Sequence, residues 1–396
     1  MKVALGAVLA LALVLAGCSS GQAGAPAARA GTAGVTSTSG PTAAGTTPTR
    51  VATPAGLPGM PPVPDPGDVY AATRPGMLSP VVRRFPARVY VPNSGDGAVD
   101  VIDARSFRRI RRFGVGRQPQ HVTPSWDLRT LWVGNNRGSS LTAVDPATGR
   151  PGRTVRVADP YNLYFAPDGR RAIVVAEALN RLDFRDPRSM RLRHARRVPC
   201  RGVDHMDFTA DGRQLLASCE FSGQLLWVDV ARERVLRVLG LRPGAMPQDV
   251  KLAPDGRRFY IADMAKNGVW VVDAARPRVF GFLPTGRGAH GLYASRDSRY
   301  LYVSNRGEGS ISLLSFATRK VVRKWRLPGG GSPDMGGVSA DGKVLWLSGR
   351  YHGEVYAIDT RSGRLLARIP VGSGPHGLCV YPQPGRYSLG HTGVFR

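Results

Sequence analysis

Short hydrophobic runs recur along the chain at a nearly constant interval. Seven runs of three apolar residues follow one another at spacings of 41 to 44 residues, and they begin at Val89, Leu131, Ala172, Leu215, Phe259, Leu301 and Leu345. Most follow a turn centred on Asp, such as Asp168-Gly169, and precede a second run that ends in Asp, such as Asp229. Two further short runs complete each interval, the last beginning near a proline. Each interval therefore predicts four β-strands separated by turns.

Seven units of four strands predict an all-β protein folded as a seven-bladed β-propeller with four antiparallel strands per blade. The units span residues 88–381, which is 42 residues per blade. The first unit begins at a second strand, so we expect residues 375–381 to supply the missing innermost strand and close the ring. Residues 387–391 continue the register of the repeat, but the seven blades leave no position for another strand. We therefore expect them, like residues 75–87, to cover one face of the propeller.

The best-formed unit begins Leu301-Tyr-Val-Ser-Asn305, continues with Ser-Ile-Ser-Leu-Leu314, and ends in an Asp-Gly turn. This sequence resembles the YVTN-type seven-bladed β-propeller repeat family. The resemblance covers about three quarters of the chain and implies the fold. It implies no single function, because propellers support many unrelated activities.

The N-terminal segment resembles a bacterial export signal. Met1-Lys2 is followed by an apolar stretch over residues 3–16, too short to cross a membrane, and then by Gly17-Cys18. The order of these features resembles the lipobox, in which the cysteine is lipidated; an ordinary secretory signal that contains a cysteine is the alternative. The sequence thus predicts an exported protein, lipid-anchored through Cys18 to the outer face of the bacterial cytoplasmic membrane.

Three segments follow from this interpretation. Residues 1–17 are a lipoprotein signal peptide, and residues 18–68 are a lipidated cysteine and a disordered linker rich in Ala, Gly, Thr and Pro. Such a composition lacks the large apolar side chains needed to offset chain entropy. Residues 69–396 are the propeller.

Each predicted innermost strand carries one polar residue near its start, where it would line the central channel. The seven are His121, Asn162, His205, Asp249, His290, Asp334 and His376. Glu220 ends a second strand at the same mouth. Imidazoles and carboxylates together suit a Zn, Cu or Mn ion; alternatively, these groups satisfy backbone amides or hold water.

The spacing of these seven residues is not uniform. The first four lie six residues before the turn Asp and the last three lie seven before it. Because neighbouring residues of a strand face opposite ways, a common orientation requires a bulge in some blades. Gly291, Gly336 and Gly377 follow the last three positions and permit one.

Two cysteines are predicted to meet at one end of a blade. Cys200 precedes the third innermost strand of the repeat pattern and Cys219 ends the second strand paired with it. A disulfide is compatible with an exported protein, and two free thiols are the alternative. Cys379 lies within a predicted strand and is expected in the core.

The chain of 396 residues carries 55 Lys and Arg against 28 Asp and Glu, a net charge of +27, and all but six of the basic residues are Arg. Arg recognises phosphate and carboxylate groups, but GC-rich codon usage also favours Arg. Arg-rich stretches over residues 105–112 and 181–201 indicate a surface for anionic polymers or lipid headgroups, or else a solvated rim. No nucleic-acid partner is expected, because the chain is exported and contains no nucleic-acid-binding module.

These features favour a non-enzymatic, monomeric binding or scaffold protein of the cell envelope. Its partners would be the membrane, anionic envelope polymers or envelope proteins, and no cofactor is certain. By analogy of fold, a metal-dependent lactonase or lyase is the alternative, with the metal on some of His205, Asp249, His290, Asp334 and His376, and Glu220 or a histidine as base. A haem-associated redox protein is a third hypothesis, since YVTN repeats also resemble the haem d1 propeller.

Overall fold

The computed structural model describes residues 56–391 and 393–396. Cys18, the predicted signal peptide and most of the predicted linker lie outside the described residues. The described chain is almost entirely β-structure, apart from two short 3-10 helices at Ala71–Thr73 and Glu220–Ser222. Within residues 56–391 and 393–396, we find no helix of the length and apolar character needed to cross a membrane.

Seven sheets of antiparallel strands are arranged as the blades of a propeller, and each has the order innermost, second, third and outermost strand. The innermost strands of blades 1 to 7 are β28 (Cys379–Tyr381), β4 (Pro119–Pro124), β8 (Asn162–Phe165), β12 (Val203–Phe208), β16 (Pro247–Leu252), β20 (Ala289–Ala294) and β24 (Pro333–Val338). The second strands are β1 (Arg88–Asn93), β5 (Leu131–Asn135), β9 (Ala172–Ala176), β13 (Gln214–Cys219), β17 (Arg258–Asp263), β21 (Tyr300–Asn305) and β25 (Val344–Gly349).

The two outer layers complete the blades. The third strands are β2 (Ala98–Asp103), β6 (Ser140–Asp145), β10 (Arg181–Arg185), β14 (Gln224–Asp229), β18 (Gly268–Asp273), β22 (Ser310–Ser315) and β26 (Glu354–Asp359). The outermost strands are β3 (Arg109–Gly114), β7 (Arg150–Arg156), β11 (Leu192–Arg197), β15 (Arg234–Gly240), β19 (Val279–Pro284), β23 (Lys320–Arg326) and β27 (Leu365–Pro370). The predicted all-β, seven-bladed fold is confirmed.

The two ends of the repeat region meet in blade 1. β28 pairs antiparallel with β1, with Tyr381 opposite Arg88 and Val380 opposite Val89. Residues from near the C-terminus therefore supply the innermost strand of the first blade, as the repeat register predicts.

The hydrophobic core lies between neighbouring blades. Aromatic and branched side chains of one sheet pack against those of the next; for example, Trp227 of blade 4 is clustered with Phe259 and Ile261 of blade 5. The second and third strands are buried along most of their length, whereas all six residues of β11 are exposed. Burial of apolar area between sheets therefore holds the ring together, and the outermost strands are free to carry charge.

Most innermost strands contain a bulge near their start. The pairing register shifts in β4, β12, β16, β20 and β24, next to the polar channel positions. In β12, β20 and β24 a serine of the adjacent second strand accepts a backbone N–H at the bulge, as Ser218 does from His205 and Ser304 does from Gly291. The bulge thus occurs more widely than its predicted glycines, since β4, β12 and β16 also contain one.

The segment before the first blade packs on the propeller at the turns that end the innermost strands. Val69 N donates to the carbonyl of Pro254, and Leu57 N donates to the carbonyl of Asp211. The side chain of Leu57 is buried in the core between blades 3 and 4. The structured region thus begins before residue 69, the boundary expected from composition, because a few apolar side chains anchor a mostly Pro- and Gly-rich stretch.

The C-terminal tail differs from its prediction as a cover over one face. It forms β29 (Ser388–Gly390) and β30 (Val394–Phe395), which extend the sheet of blade 3 inward to six strands. Gly390 makes this approach possible, because a Cβ there would lie 2.4 Å from the ring of Tyr164 and its φ is +144°. The tail therefore enters the channel alongside β8.

Candidate functional site

Five of the seven histidines of the chain meet in the central channel. They come from four different blades and the tail, and all are buried: His121, His205, His290, His376 and His391. The ring centroids of His121 and His391 are 3.9 Å apart, and those of His121 and His376 are 4.7 Å apart. The innermost strands thus bring together the four predicted histidines, with a fifth that the repeat pattern did not reveal.

One side of the channel has histidines without hydrogen-bond partners. Ligand nitrogens of His121, His205 and His391 lie within 4.8 Å of one another. Both ring nitrogens of His121 and of His391, and Nε2 of His205, are buried with no hydrogen-bond partner among the described residues. Buried polar groups are nearly always satisfied, so this cluster requires an explanation.

The neutral form dominates in this cluster. Burial lowers the pKa of His205 to about 3. Burial also holds the pKa of His121 well below its usual range, and neighbouring histidines add to the effect. The same causes depress the pKa of His391. Three uncharged imidazoles, two of which have no hydrogen-bond partner among the described residues, are a metal-ligand set.

The other side of the channel is fully paired around Asp334. This buried carboxylate lies 2.7 Å from His376 Nδ1, 3.1 Å from His290 Nδ1 and 3.1 Å from a guanidinium nitrogen of Arg306. Although burial opposes ionisation, His290 and Arg306 keep the pKa of Asp334 below its usual value. Asp334 thus forms a buried ion pair with Arg306 and accepts hydrogen bonds from two histidines, whose pKa values burial holds well below the usual range.

Asp249 does not join either group of histidines. One of its oxygens accepts the backbone N–H of Val250 at 2.9 Å, and the other accepts that of Leu292 in the next blade at 2.9 Å. Asp207 does the same for Phe208 and Leu252. Asp249 is therefore a staple between innermost strands, and we separate it from the candidate ligands.

The mouth of the channel is acidic. Burial raises the pKa of Glu177 to about 8, and the nearby Glu220 and Asp159 contribute. Burial and Glu220 also hold the pKa of Asp204 well above its usual value. Both oxygens of Asp204 lack a hydrogen-bond partner among the described residues, and one lies 3.2 Å from His205 Nε2. Glu220, a predicted site residue, thus borders the histidine cluster through Asp204.

Most polar residues at the ends of the second strands have a local structural role. In four blades the residue bonds a side chain seven positions later, on the third strand: Asn93 to Asp100, Asn135 to Thr142, Asp263 to Trp270, and Asn305 to Ser312. In the other three blades the register places Ala176, Cys219 and Gly349 at this position, and none of these side chains can make the same bond. The residue that follows is charged in each of these blades: Glu177, Glu220 and Arg350.

The cysteines of blade 4 also lie at this end. Cys200, just before β12, and Cys219, the last residue of β13, form a disulfide with an S–S distance of 2.10 Å. The bridge is two residues or fewer from Gly202 and Glu220. It thus ties the segment leading into His205 to the strand end that carries Glu220. Cys379 is a free, buried thiol in β28.

The signal for His391 lay outside the repeats. A single histidine in a short tail, next to Gly390, does not follow the 42-residue period that revealed the other four. Its position depends on the ion pair between Arg396 and Asp207 (3.0 Å) and on stacking of Arg396 over Tyr70 at 4.7 Å. The available clue was a glycine next to a histidine, Gly390-His391, in a tail for which the seven blades leave no strand position.

The matches with known proteins agree with this architecture. A family model of YNCE-like β-propellers matches residues 71–385. The chain belongs to this family. It is 26% identical to the protein YncE of Salmonella typhi over 247 residues, which cover 58% of this chain and 69% of that protein. YncE of Salmonella typhimurium has the same identity and coverage. The predicted YVTN-type repeat is confirmed at this level.

Several solved structures share the fold at low identity. Hydrazine synthase of Kuenenia stuttgartiensis has a TM-score of 0.61 at 20% identity and covers 69% of this chain and 92% of its own. The dihydro-haem d1 dehydrogenase NirN scores 0.59 at 18% identity, with coverage of 78% and 77%. A 6-phosphogluconolactonase homologue from Bacteroides uniformis scores 0.58 at 16% identity, with coverage of 74% and 99%. These similarities show the propeller fold alone.

Proposed function

We propose that this YNCE-like propeller is an exported lipoprotein that binds an anionic polymer of the cell envelope through the outermost strands of blades 1 to 3. The observation that carries the proposal is a run of exposed arginines on three consecutive blades. β3, β7 and β11 each contain three arginines and no acidic residue, and all nine arginines are exposed. We call this surface the arginine rim.

Part of the arginine rim is already neutralised and part is available. Arg112 lies 2.6 Å from Asp96, Arg193 lies 2.6 Å from Asp186, and Arg109 lies 3.7 Å from Asp100. Among the described residues, we find no ion pair for the other six rim arginines, at positions 111, 150, 153, 156, 196 and 197. At least one available guanidinium therefore lies on each of the three blades.

The charge of the rim is not a uniform property of the outer surface. β19 of blade 5 has no charged residue and exposes Phe280 instead. β23 of blade 6 has four basic residues, but the strands on either side of it add no unpaired charge. β19 has no charged residue, and the one arginine of β27 is paired with Glu354. A long polyanion can contact successive guanidinium groups across blades 1 to 3, whereas blade 6 offers one isolated strand.

The predicted anchor at Cys18 would keep the protein at the membrane, near the polymers of the envelope. The sequence order of Lys2, the apolar stretch and Cys18 supports export and lipidation. Mass spectrometry of the protein from membranes of its host should show a diacylglyceryl group on Cys18, and Cys18→Ser should release the protein from the membrane fraction. Retention of the serine variant on the membrane would contradict the predicted anchor, whereas the proposal for the arginine rim is tested separately.

Polymer binding is tested with the full-length protein in detergent and fluorescently labelled polyphosphate. We expect the triple variant Arg111→Gln/Arg156→Gln/Arg197→Gln to weaken binding by roughly tenfold or more in low salt, since each basic residue near an anionic surface contributes about 1 kcal/mol. The control is Lys320→Gln/Arg323→Gln/Arg326→Gln on blade 6, which removes the same formal charge. We expect this control to retain most of the affinity.

Equal losses in the two triple variants would show that net charge, and not the arginine rim, drives binding, and would overturn the proposal. Salt dependence gives a second test, because screening weakens exposed charge contacts. A rim variant that loses affinity only for vesicles of anionic lipid, and not for polyphosphate, would identify a membrane surface in place of a polymer and would also reject the proposal.

A further inference from the structure

The channel points to a function separate from the arginine rim. We propose that His121, His205 and His391 bind one divalent ion of the nitrogen-preferring class, Zn²⁺ or Cu²⁺, with Asp204 beside them as an oxygen donor. The C-terminal tail would then supply one of the ligands. All four of these side chains belong to the described residues.

The distances suit a single ion after a small adjustment. Zn–N bonds of about 2.0–2.1 Å place two ligand nitrogens at most about 4.2 Å apart. The ligand atoms of the three histidines lie within 4.8 Å of one another. The rings must therefore move toward a common point by less than about 1 Å. The Asp204 carboxylate lies 3.2 Å from His205 Nε2, on the same side of that ring.

The environment leaves these atoms nothing else to bind. Five imidazole nitrogens of the cluster and both Asp204 oxygens are buried without a hydrogen-bond partner among the described residues. His290 and His376, which lie equally deep in the same channel, both have Asp334 as a partner. The protein thus leaves His121, His391 and Nε2 of His205 without a hydrogen-bond partner among the described residues while satisfying their neighbours, as expected if the former have another ligand.

Second-layer contacts orient the ring of His205. The amide nitrogen of Asn162, 3.1 Å from Nδ1, can only donate to it, so the ring proton lies on Nε2, which faces Asp204 at 3.2 Å. A metal bound at Nε2 would displace this proton, and Nδ1 could then donate to the hydroxyl of Tyr164 at 3.4 Å, as metal-binding histidines donate from their second nitrogen. A Cβ on Gly377 would come within 1.8 Å of His121 Nδ1, so this glycine provides the space that the His121 ring occupies.

The donor set selects the type of metal. Imidazole nitrogens favour Zn²⁺ and Cu²⁺, whereas Ca²⁺ and Mg²⁺ require a shell of oxygens. Burial keeps the pKa of Asp204 well above its usual value, so a bound cation would displace the proton of this carboxyl when the oxygen becomes a ligand.

Metal binding is tested on the full-length protein with an affinity tag that contains no histidine. The protein is loaded with ZnCl₂ or CuSO₄, freed of excess metal and analysed by elemental mass spectrometry. We expect about one equivalent per chain, and an electron paramagnetic resonance spectrum of the Cu²⁺ form with couplings to imidazole nitrogens. His391→Gln should reduce the stoichiometry at least tenfold while circular dichroism shows a folded protein.

The control is His352→Gln, because His352 is an exposed histidine near the same mouth and bonds Ser332 instead of the cluster. We expect it to bind metal as the unaltered protein does. Less than one tenth of an equivalent in the folded, loaded parent protein would overturn the proposal. So would full stoichiometry and an unchanged copper spectrum in His391→Gln, since the tail would then supply no ligand. His121→Gln independently tests a ligand that comes from a blade and should likewise reduce the metal stoichiometry.

Discussion

The two sides of the channel differ in the partners that they offer to buried histidines. Around Asp334, His290 and His376 each face a carboxylate oxygen within 3.1 Å, and Arg306 neutralises the remaining charge. Around His391, the rings of His121 and His205 face other rings. Burial is nearly complete on both sides. The difference is therefore one of partners and not of depth.

This comparison separates structural from available polar groups. A buried ion-pair network holds its members in place, and removing one member leaves the others with an uncompensated cost. A buried polar group without a partner adds no favourable bond to offset its desolvation, and it remains able to bind a ligand. Substitutions on the two sides should therefore have unequal effects on stability.

The largest effect is expected from Asp334→Asn. The substitution leaves the Arg306 guanidinium buried without its carboxylate and weakens the contacts of both histidines. We expect a loss of about 3–5 kcal/mol in the free energy of unfolding, measured by denaturant titration. Asp255→Asn, on an exposed turn, is the control and should change it by less than about 0.5 kcal/mol. Similar values for the two would mean that the Asp334 network adds nothing.

A smaller effect is expected where the tail is fastened. Arg396→Ala removes the ion pair to the fully buried Asp207 and the contact with Tyr70. Because Asp207 keeps its backbone N–H bonds, we expect a loss of about 2–3 kcal/mol. Arg386→Ala, an exposed residue of the same segment that stacks on Tyr387, should cost below about 1 kcal/mol. Hydrogen exchange of residues 387–391 should increase only in the first variant.

The acidic mouth should make stability depend on pH. The pKa of Glu177 rises to about 8 in the folded protein, above the 4.5 of the unfolded chain. Between these values only the folded state holds the proton, so stability falls as pH rises from 4.5 to 8. Glu177→Gln should flatten that slope, and the gain at pH 8 relative to pH 5 should be about 1 kcal/mol, since the side chain is partly exposed.

A carboxylate with the opposite shift is the control for this slope. Ser310 and Lys324 bond Glu308 and, against its burial, lower its pKa to about 2. Its favourable contribution is complete above pH 4.5 and is lost only as pH falls toward 2. Glu308→Gln should therefore shift the stability curve between pH 5 and 8 without changing its slope. An unchanged slope in Glu177→Gln would show that this carboxyl is ionised in the folded protein.

The smallest effect is expected from His391→Gln in metal-free protein. Neither ring nitrogen of His391 has a hydrogen-bond partner among the described residues, so its loss should change the free energy of unfolding by less than about 1 kcal/mol. His376→Gln, which removes a 2.7 Å contact with Asp334, should cost more, about 2 kcal/mol. If His391→Gln and His376→Gln lower the free energy of unfolding equally in chelator-treated samples, the two sides of the channel do not differ in how their histidines are bonded.

Local repetition explains what the sequence could predict. The 42-residue period places Leu131, Leu215 and Leu301 on second strands, because each unit repeats the same turn and the same apolar pattern. The same period locates His121, His205, His290 and His376 on the innermost strands. These positions depend only on contacts within one blade and its neighbours, which recur seven times.

The partners of those residues could not be predicted in the same way. Asp249 and Asp334 were predicted to line the channel alike, yet Asp249 bonds backbone amides and Asp334 bonds histidines and Arg306. The strand register places Asp334 one position earlier than Asp249, so the two side chains have different surroundings. His391 arrives from a tail that is not repeated. Leu57 and Met60 pack on the propeller from a stretch whose composition resembles a linker. Such contacts depend on tertiary arrangement, which a periodic pattern does not contain.

The pairing of β28 with β1 also imposes an order of events on folding. Blade 1 can be completed only when residues 379–381 reach residues 88–90, almost 300 positions earlier in the chain. Until then β1 is an open edge strand able to pair with another chain. Contacts of such long sequence separation form slowly. Closure therefore requires nearly the whole chain to be present, so the first blade should need protection from other chains for longest while the protein folds.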